Sequence, residues 1–268
     1  MRKSILSFLI VVTAFGLVSF GYLNWNDSEK EQLETTANKD VTNNSKVKGK
    51  IEKRIFSDFI YDIGPRFSAI KKRQLNTVRS INDFLSKEQI QRIVSFKSAS
   101  VIIFKDEKRS NISESGNTNE LTIAQLNLLQ SFDYSTNFVI SAEYQQKNKE
   151  TGVLEDSYST PHLTIVPEKQ AEYLPGKDIL MEYLKENSKE ARVNVDPDEL
   201  QPAKLFFTVT REGTLENIRL DRSSGYPIVD KTMIELISKA PGDWEPAENT
   251  KGEKVNQELV VSFGLMGC

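Results

Sequence analysis

Hydrophobic and polar positions change period several times along the last third of the chain, and each change marks an element. Leu205-Phe206-Phe207-Thr208-Val209-Thr210 reads as a strand, Arg211-Glu212-Gly213-Thr214 as the turn, and Leu215 to Arg222 as the return strand, with Ile218 and Leu220 on one side. Gly213 suits the left-handed position of a short hairpin loop, where a side chain would be costly. Ser223-Ser224-Gly225-Tyr226-Pro227 ends the hairpin and opens a helix, with the proline in its first turn. Val229, Met233, Leu236, Ile237 and Ala240 then form one apolar stripe at helical spacing, and Pro241-Gly242 stops it. After Trp244-Glu245-Pro246-Ala247 and a turn at Lys251-Gly252, Val255, Gln257, Leu259, Val261, Phe263 and Leu265 share one face of a final strand. The order is strand, strand, helix, strand. A crossing helix makes the last strand pair antiparallel with the first and predicts that it lies at the sheet edge.

Upstream, residues 55–171 predict a small α+β module. Ser86-Lys87-Glu88-Gln89 and Thr122-Ile123-Ala124-Gln125 are candidate capping boxes. The first predicts a helix with Ile90, Ile93 and Val94 on one face, the second a helix with Ile123, Leu126 and Leu129 inward. Ala99 to Phe104 predicts a short strand, Asp106 to Glu120 a charged Ser/Asn-rich loop, and Phe138, Ile140, Ala142 and Tyr144 an alternating strand. A turn near Lys149 to Gly152 returns the chain to Leu163-Thr164-Ile165-Val166. Phe56 to Asp62 reads as a segment docking this module to its own core.

At the other end, Met1-Arg2-Lys3 precedes an uncharged, largely apolar run from Ser4 to Leu23. Its length is near the roughly twenty residues a membrane-spanning helix needs, and no small-x-small cleavage site follows. An anchor over residues 1–23 is expected, with the basic N-terminus on the cytoplasmic side; the rival reading, a cleaved signal peptide, puts the body of the protein in the same compartment. Residues 24–54 are rich in Asn, Asp, Glu, Lys, Ser and Thr and predict a disordered tether without proline.

Composition removes several function classes. Lys+Arg number 35 against 38 Asp+Glu, a formal charge of −3, so no basic excess points to nucleic acid. One cysteine, Cys268, precludes an internal disulfide, and one histidine, His162, leaves little for a zinc site or a Cys–His pair. His162, between Pro161 and a strand, reads as an ordinary strand-end histidine. No nucleophile–base pair or glycine-rich phosphate loop is visible, so neither an enzyme nor a cofactor is expected.

The run Phe206 to Thr210, Glu212-Gly213-Thr214, Ser223-Ser224-Gly225, Asp230, Trp244-Glu245-Pro246-Ala247, Lys251-Gly252 and Val260-Val261-Ser262-Phe263-Gly264, in that order and spacing, resembles the C-terminal domain of TonB-type energy transducers. A preceding helix with Leu180, Tyr183 and Leu184 extends the likeness over residues 172–268. The resemblance implies an α-β-β-α-β domain, a three-stranded antiparallel sheet with helices on one face. It implies an inner-membrane protein with its bulk in the periplasm, coupled to an ExbB–ExbD proton channel. It further implies that the domain grips the TonB box of outer-membrane receptors that import siderophores or vitamins. Well-studied anchors carry a Ser and a His on one face; this one has Ser4, Ser7, Thr13 and Ser19 but no histidine. An alternative is a membrane-anchored interaction protein of the same fold without energised transport. In either case the expected partner-binding residues are those of the edge strand: Gln257, Glu258, Leu259, Val260, Val261, Ser262 and Phe263. Main-chain bonds would give affinity, and Glu258, Val260 and Ser262 on the outward face would give specificity.

Overall fold

Strand β1 (Ile60–Gly64) is followed at once by β2 (Ser68–Lys71), and the two enter different sheets. The computed structural model describes residues 59–105, 108–193 and 195–265. The expected anchor and tether lie outside the described residues, among which no helix is long and apolar enough to cross a membrane.

After β2 come α1 (Lys72–Leu75), a 3-10 turn at Ile81–Phe84, α2 (Lys87–Arg92), β3 (Ile93–Lys105), β4 (Lys108–Gly116), α3 (Ile123–Ser131), β5 (Asn137–Lys147), β6 (Leu154–Ser159) and β7 (His162–Val166). They build a six-stranded sheet in the order β2-β7-β5-β3-β4, with β6 also paired to β5. Phe138, Ile140, Ala142 and Tyr144 are buried along β5, as their alternation predicts.

Both capping boxes are present, at Ser86/Gln89 and Thr122/Gln125. The helices behind them differ from expectation. α2 ends at Arg92, so Ile93 and Val94 begin β3 rather than share a helix face with Ile90. β-Branched residues suit a strand better than a helix end. In α3 the buried positions are Gln125 and Leu129, while Ile123 is 78 % exposed. The Gln125 amide sets that phase by donating to Ala99 O at 2.9 Å and Glu114 O at 3.3 Å, which ties α3 to β3 and β4. The expected loop between Asp106 and Glu120 contains strand β4. It is held by backbone pairing to β3 and buries no apolar face, so it carries no period to read.

The chain then runs through β8 (Glu172–Tyr173), α4 (Lys177–Asn187), β9 (Ala203–Val209), β10 (Leu215–Arg222), α5 (Pro227–Ser238), the short strands β11 (Trp244–Glu245), β12 (Ala247–Glu248) and β13 (Lys254–Val255), and β14 (Gln257–Gly264). The second sheet has the order β1-β14-β9-β10 and is antiparallel throughout. The pairing of the last strand with the first of the hairpin is as expected. The three-stranded count is not: β1 adds a fourth strand from beyond the expected domain boundary at residue 172.

One core joins Leu180 and Leu184 of α4, Val229, Met233 and Ile237 of α5, and Leu205, Phe207, Leu259, Val261 and Phe263 of the sheet. Trp244 caps it, 5.3 Å from the Phe207 ring and 5.4 Å from Tyr173. Gly213 stands at φ +81°, and a Cβ there would meet Trp244 O at 2.6 Å. Glu212-Gly213-Thr214 and Trp244-Glu245-Pro246 are therefore two sides of one contact. Buried Asp230, at the start of α5, accepts from the Ser223 hydroxyl at 2.6 Å and from Ser224 N–H at 2.9 Å. The serine loop is turn chemistry that fixes the helix entry.

Ile237 is fully buried, whereas Glu235 is exposed and pairs loosely with Lys231 at 3.9 Å. Ile237→Ala should cost about 2–5 kcal/mol, and Glu235→Ala should change stability by less than about 0.5 kcal/mol. Urea denaturation of both variants checks the helix phase; equal losses would show it wrong.

Candidate partner-binding site

The seven residues expected to bind a partner all lie on β14, but β14 is not an edge. β9 covers one side, with Gln257 opposite Val209 and Phe263 opposite Ala203. β1 covers the other, with Ile60 opposite Gly264, Asp62 opposite Ser262 and Gly64 opposite Val260. The free edge read from the sequence is thus corrected to an interior strand. The signal that could have found this is the alternation Phe59, Tyr61, Ile63 just before Gly64-Pro65, a short strand pattern with a stop.

In an antiparallel ladder, successive N–H groups turn to opposite neighbours. The Glu258 N–H points away from β9 and donates to Ser135 Oγ at 2.9 Å, a contact from the other sheet's lobe across 123 residues. Val260 and Ser262 share that direction and face Gly64 and Asp62. The outward side of β14 is therefore satisfied in two pieces, by Ser135 and by β1. Sequence reasoning could not find Ser135, since nothing local distinguishes a serine in the Asp133–Thr136 turn.

Side chains on the helix face follow expectation: Leu259, Val261 and Phe263 are 4 %, 0 % and 1 % exposed. The opposite face is more covered than predicted. Val260 is buried opposite Phe206. The Phe206 ring in turn lies under the guanidinium groups of Arg219 at 4.4 Å and Arg66 at 5.1 Å. Glu258 and Ser262 remain partly exposed, Glu258 paired with Arg219 at 3.0 Å. Buried Gln257 serves the fold, its Oε1 accepting from Ala171 N–H at 2.7 Å.

β1 docks by side chains as well as backbone. Tyr61 and Ile63 lie opposite Phe263 and Val261 and so face the helices. Phe59 packs at a tilt against Tyr61 at 5.1 Å and stacks on Phe263 at 6.3 Å, and Arg192 sits 5.3 Å from its ring. The Tyr61 hydroxyl bonds the Ser188 hydroxyl, and Asp62 meets Lys177 at 2.6 Å on the surface. Burial pushes the Tyr61 phenol above its usual pKa, partly offset by the Ser188 hydrogen bond and the Arg192 charge.

Just past β1, Arg66 is nearly enclosed, its side chain 6 % exposed. It lies 3.7 Å from Asp221 and 5.2 and 5.5 Å from the rings of Phe67 and Phe104. His162 packs against the same two rings at 5.1 and 5.3 Å, as a structural aromatic at a strand start. Among the described residues no cluster of His, Cys, Asp or Glu is arranged to hold a metal.

Residues 202–265 match the family model described as Gram-negative bacterial TonB protein C-terminal. No curated protein and no solved structure matches the chain.

The amides of Val260 and Ser262 should exchange with deuterium as slowly as those of β9, which NMR of the folded chain will read; exchange at the rate of an open sheet edge would rule out the β1 cover. A second expectation concerns pH. The raised native pKa of Tyr61 contributes stability that is complete below the ordinary phenol value of 10.0 and is lost as pH climbs through the native value. Denaturation midpoints of the wild type should therefore fall more steeply above pH 10 than those of Tyr61→Phe. Parallel curves would show that this phenol is not buried.

Proposed function

We propose that the chain is an energy transducer of TonB type. It is anchored in the inner membrane through residues 1–23, and its periplasmic sheet binds the TonB box of outer-membrane receptors for siderophores or vitamins. An ExbB/ExbD-like channel supplies the work. The observation that carries the reading is the match of residues 202–265, because it falls on the β9–β10–α5–β14 unit that displays the candidate strand. β14 pairs with β9 without a register break, so strand addition on its other side, with main-chain bonds giving affinity and alternate side chains giving register, is the mode of recognition once β1 leaves that side.

A second reading is favoured by the covered β14 and by the histidine-free anchor: an anchored periplasmic interaction protein of the same fold without energised transport. The two separate in one experiment. Deleting the gene should abolish growth on a chelate or vitamin imported through a TonB-dependent receptor, and collapsing the proton gradient should block the same uptake in the wild type. A photocrosslinker at Ser262 should capture the receptor in intact cells. Normal uptake in the deletion strain, with capture of a non-receptor protein, would establish the second reading instead.

A further inference from the structure

We infer that β1 is a self-strand occupying the recognition edge of β14, and that binding is an exchange in which an incoming peptide displaces β1 and repeats its side-chain pattern. This rests on β14 being the recognition strand. Outward groups at Val260, Ser262 and Gly264 are engaged by β1, and the one at Glu258 by Ser135. A strand interior to a sheet has no group left for a further strand, so addition at β14 requires that β1 leave.

The surroundings fix the direction of departure. At its C-terminal end β1 runs into Pro65 and the enclosed Arg66, held by Asp221 and three aromatic rings. That end is clamped. At its N-terminal end, a cleft of about 670 Å³ opens beside Ile60, Asp62, Met181, Phe263 and Leu265. An incoming strand gains its first contacts there and replaces β1 pair by pair, from Ile60↔Gly264 toward Gly64↔Val260.

The self-strand also describes its replacement. Positions equivalent to Phe59, Tyr61 and Ile63 must be apolar or aromatic, because those side chains complete the helix-side core. The position of Asp62 faces solvent beside Lys177 and suits an acidic or neutral residue. The ligand class is an extended peptide with large apolar residues at every second position. Because β1 is tethered, its effective concentration is high, about the millimolar range for short connections. A free peptide therefore binds with its intrinsic affinity reduced by the fraction of molecules in which β1 has left. Weakening β1 should tighten binding, and fastening it should abolish binding.

The probe is a fluorescent peptide copying Phe59–Pro65, titrated against three full chains carrying Cys268→Ser. One keeps the wild-type strands. One has Asp62→Pro, which removes an N–H directed at Ser262. One has Asp62→Cys with Ser262→Cys, a directly opposed pair whose spacing allows a disulfide. The proline chain should bind the peptide at least tenfold more tightly than the wild type. The cysteine pair should bind only after reduction. No binding by any chain, equal binding by oxidised and reduced forms, or no gain in a folded proline chain overturns the inference. Should the proline chain not fold, the redox comparison decides alone. Receptor capture by the oxidised chain would overturn the exchange while leaving the proposed function standing. Loss of uptake-linked capture in every chain, with peptide exchange intact, would do the reverse.

Discussion

A strand side that has left water must satisfy an N–H and a C=O at every second residue, and an unpaired buried group costs about as much as a lost hydrogen bond. β14 meets this on both sides. β9 supplies one partner through the local hairpin-helix-strand unit, and β1 supplies the other from nearly two hundred residues earlier. The remaining outward donor, on Glu258, reaches Ser135.

With β1 in the second sheet, the elements from β2 to β7 become an insertion between β1 and α4 rather than a module that precedes a separate domain. The insertion is fixed where it leaves the sheet. Arg66 at its start bridges the rings of Phe67 and Phe104 on one side and Phe206 on the other, with Asp221 as its counterion. A nearly enclosed guanidinium is expensive to desolvate, so its enclosure between flat faces and a carboxylate defines where the lobes meet. His162, the single histidine of the chain, is used to pad this joint.

The same architecture determines what recognition at β14 can use. Its helix-side residues are committed to the core, and Val260 on the opposite face is buried over Phe206. On the exchange proposed above, specificity at the strand would be left to Glu258 and Ser262 and to the side chains standing in for Phe59, Tyr61 and Ile63. Main-chain bonds are interchangeable between one extended segment and another; packed side chains are not. That difference would let a sheet hold one of its own strands and still distinguish among others.

The sequence by itself determined the elements whose signals are local. The β9–β10 hairpin, the α5 stripe, the alternation of β5 and β14 and both capping boxes involve residues a few positions apart, and period and turn chemistry report them. The motifs that carry the family likeness were legible in the same way, although only the fold shows that Gly213 and Trp244 touch. Three things were decided by tertiary structure alone. The phase of α3 was set by Gln125 reaching carbonyls on β3 and β4, which outweighed exposing Ile123. β4 formed by backbone pairing with no buried face to announce it. The candidate binding edge was closed by β1 and Ser135. A strand's pattern states which face it buries but not which strand lies beside it, because backbone hydrogen bonds are the same for every sequence.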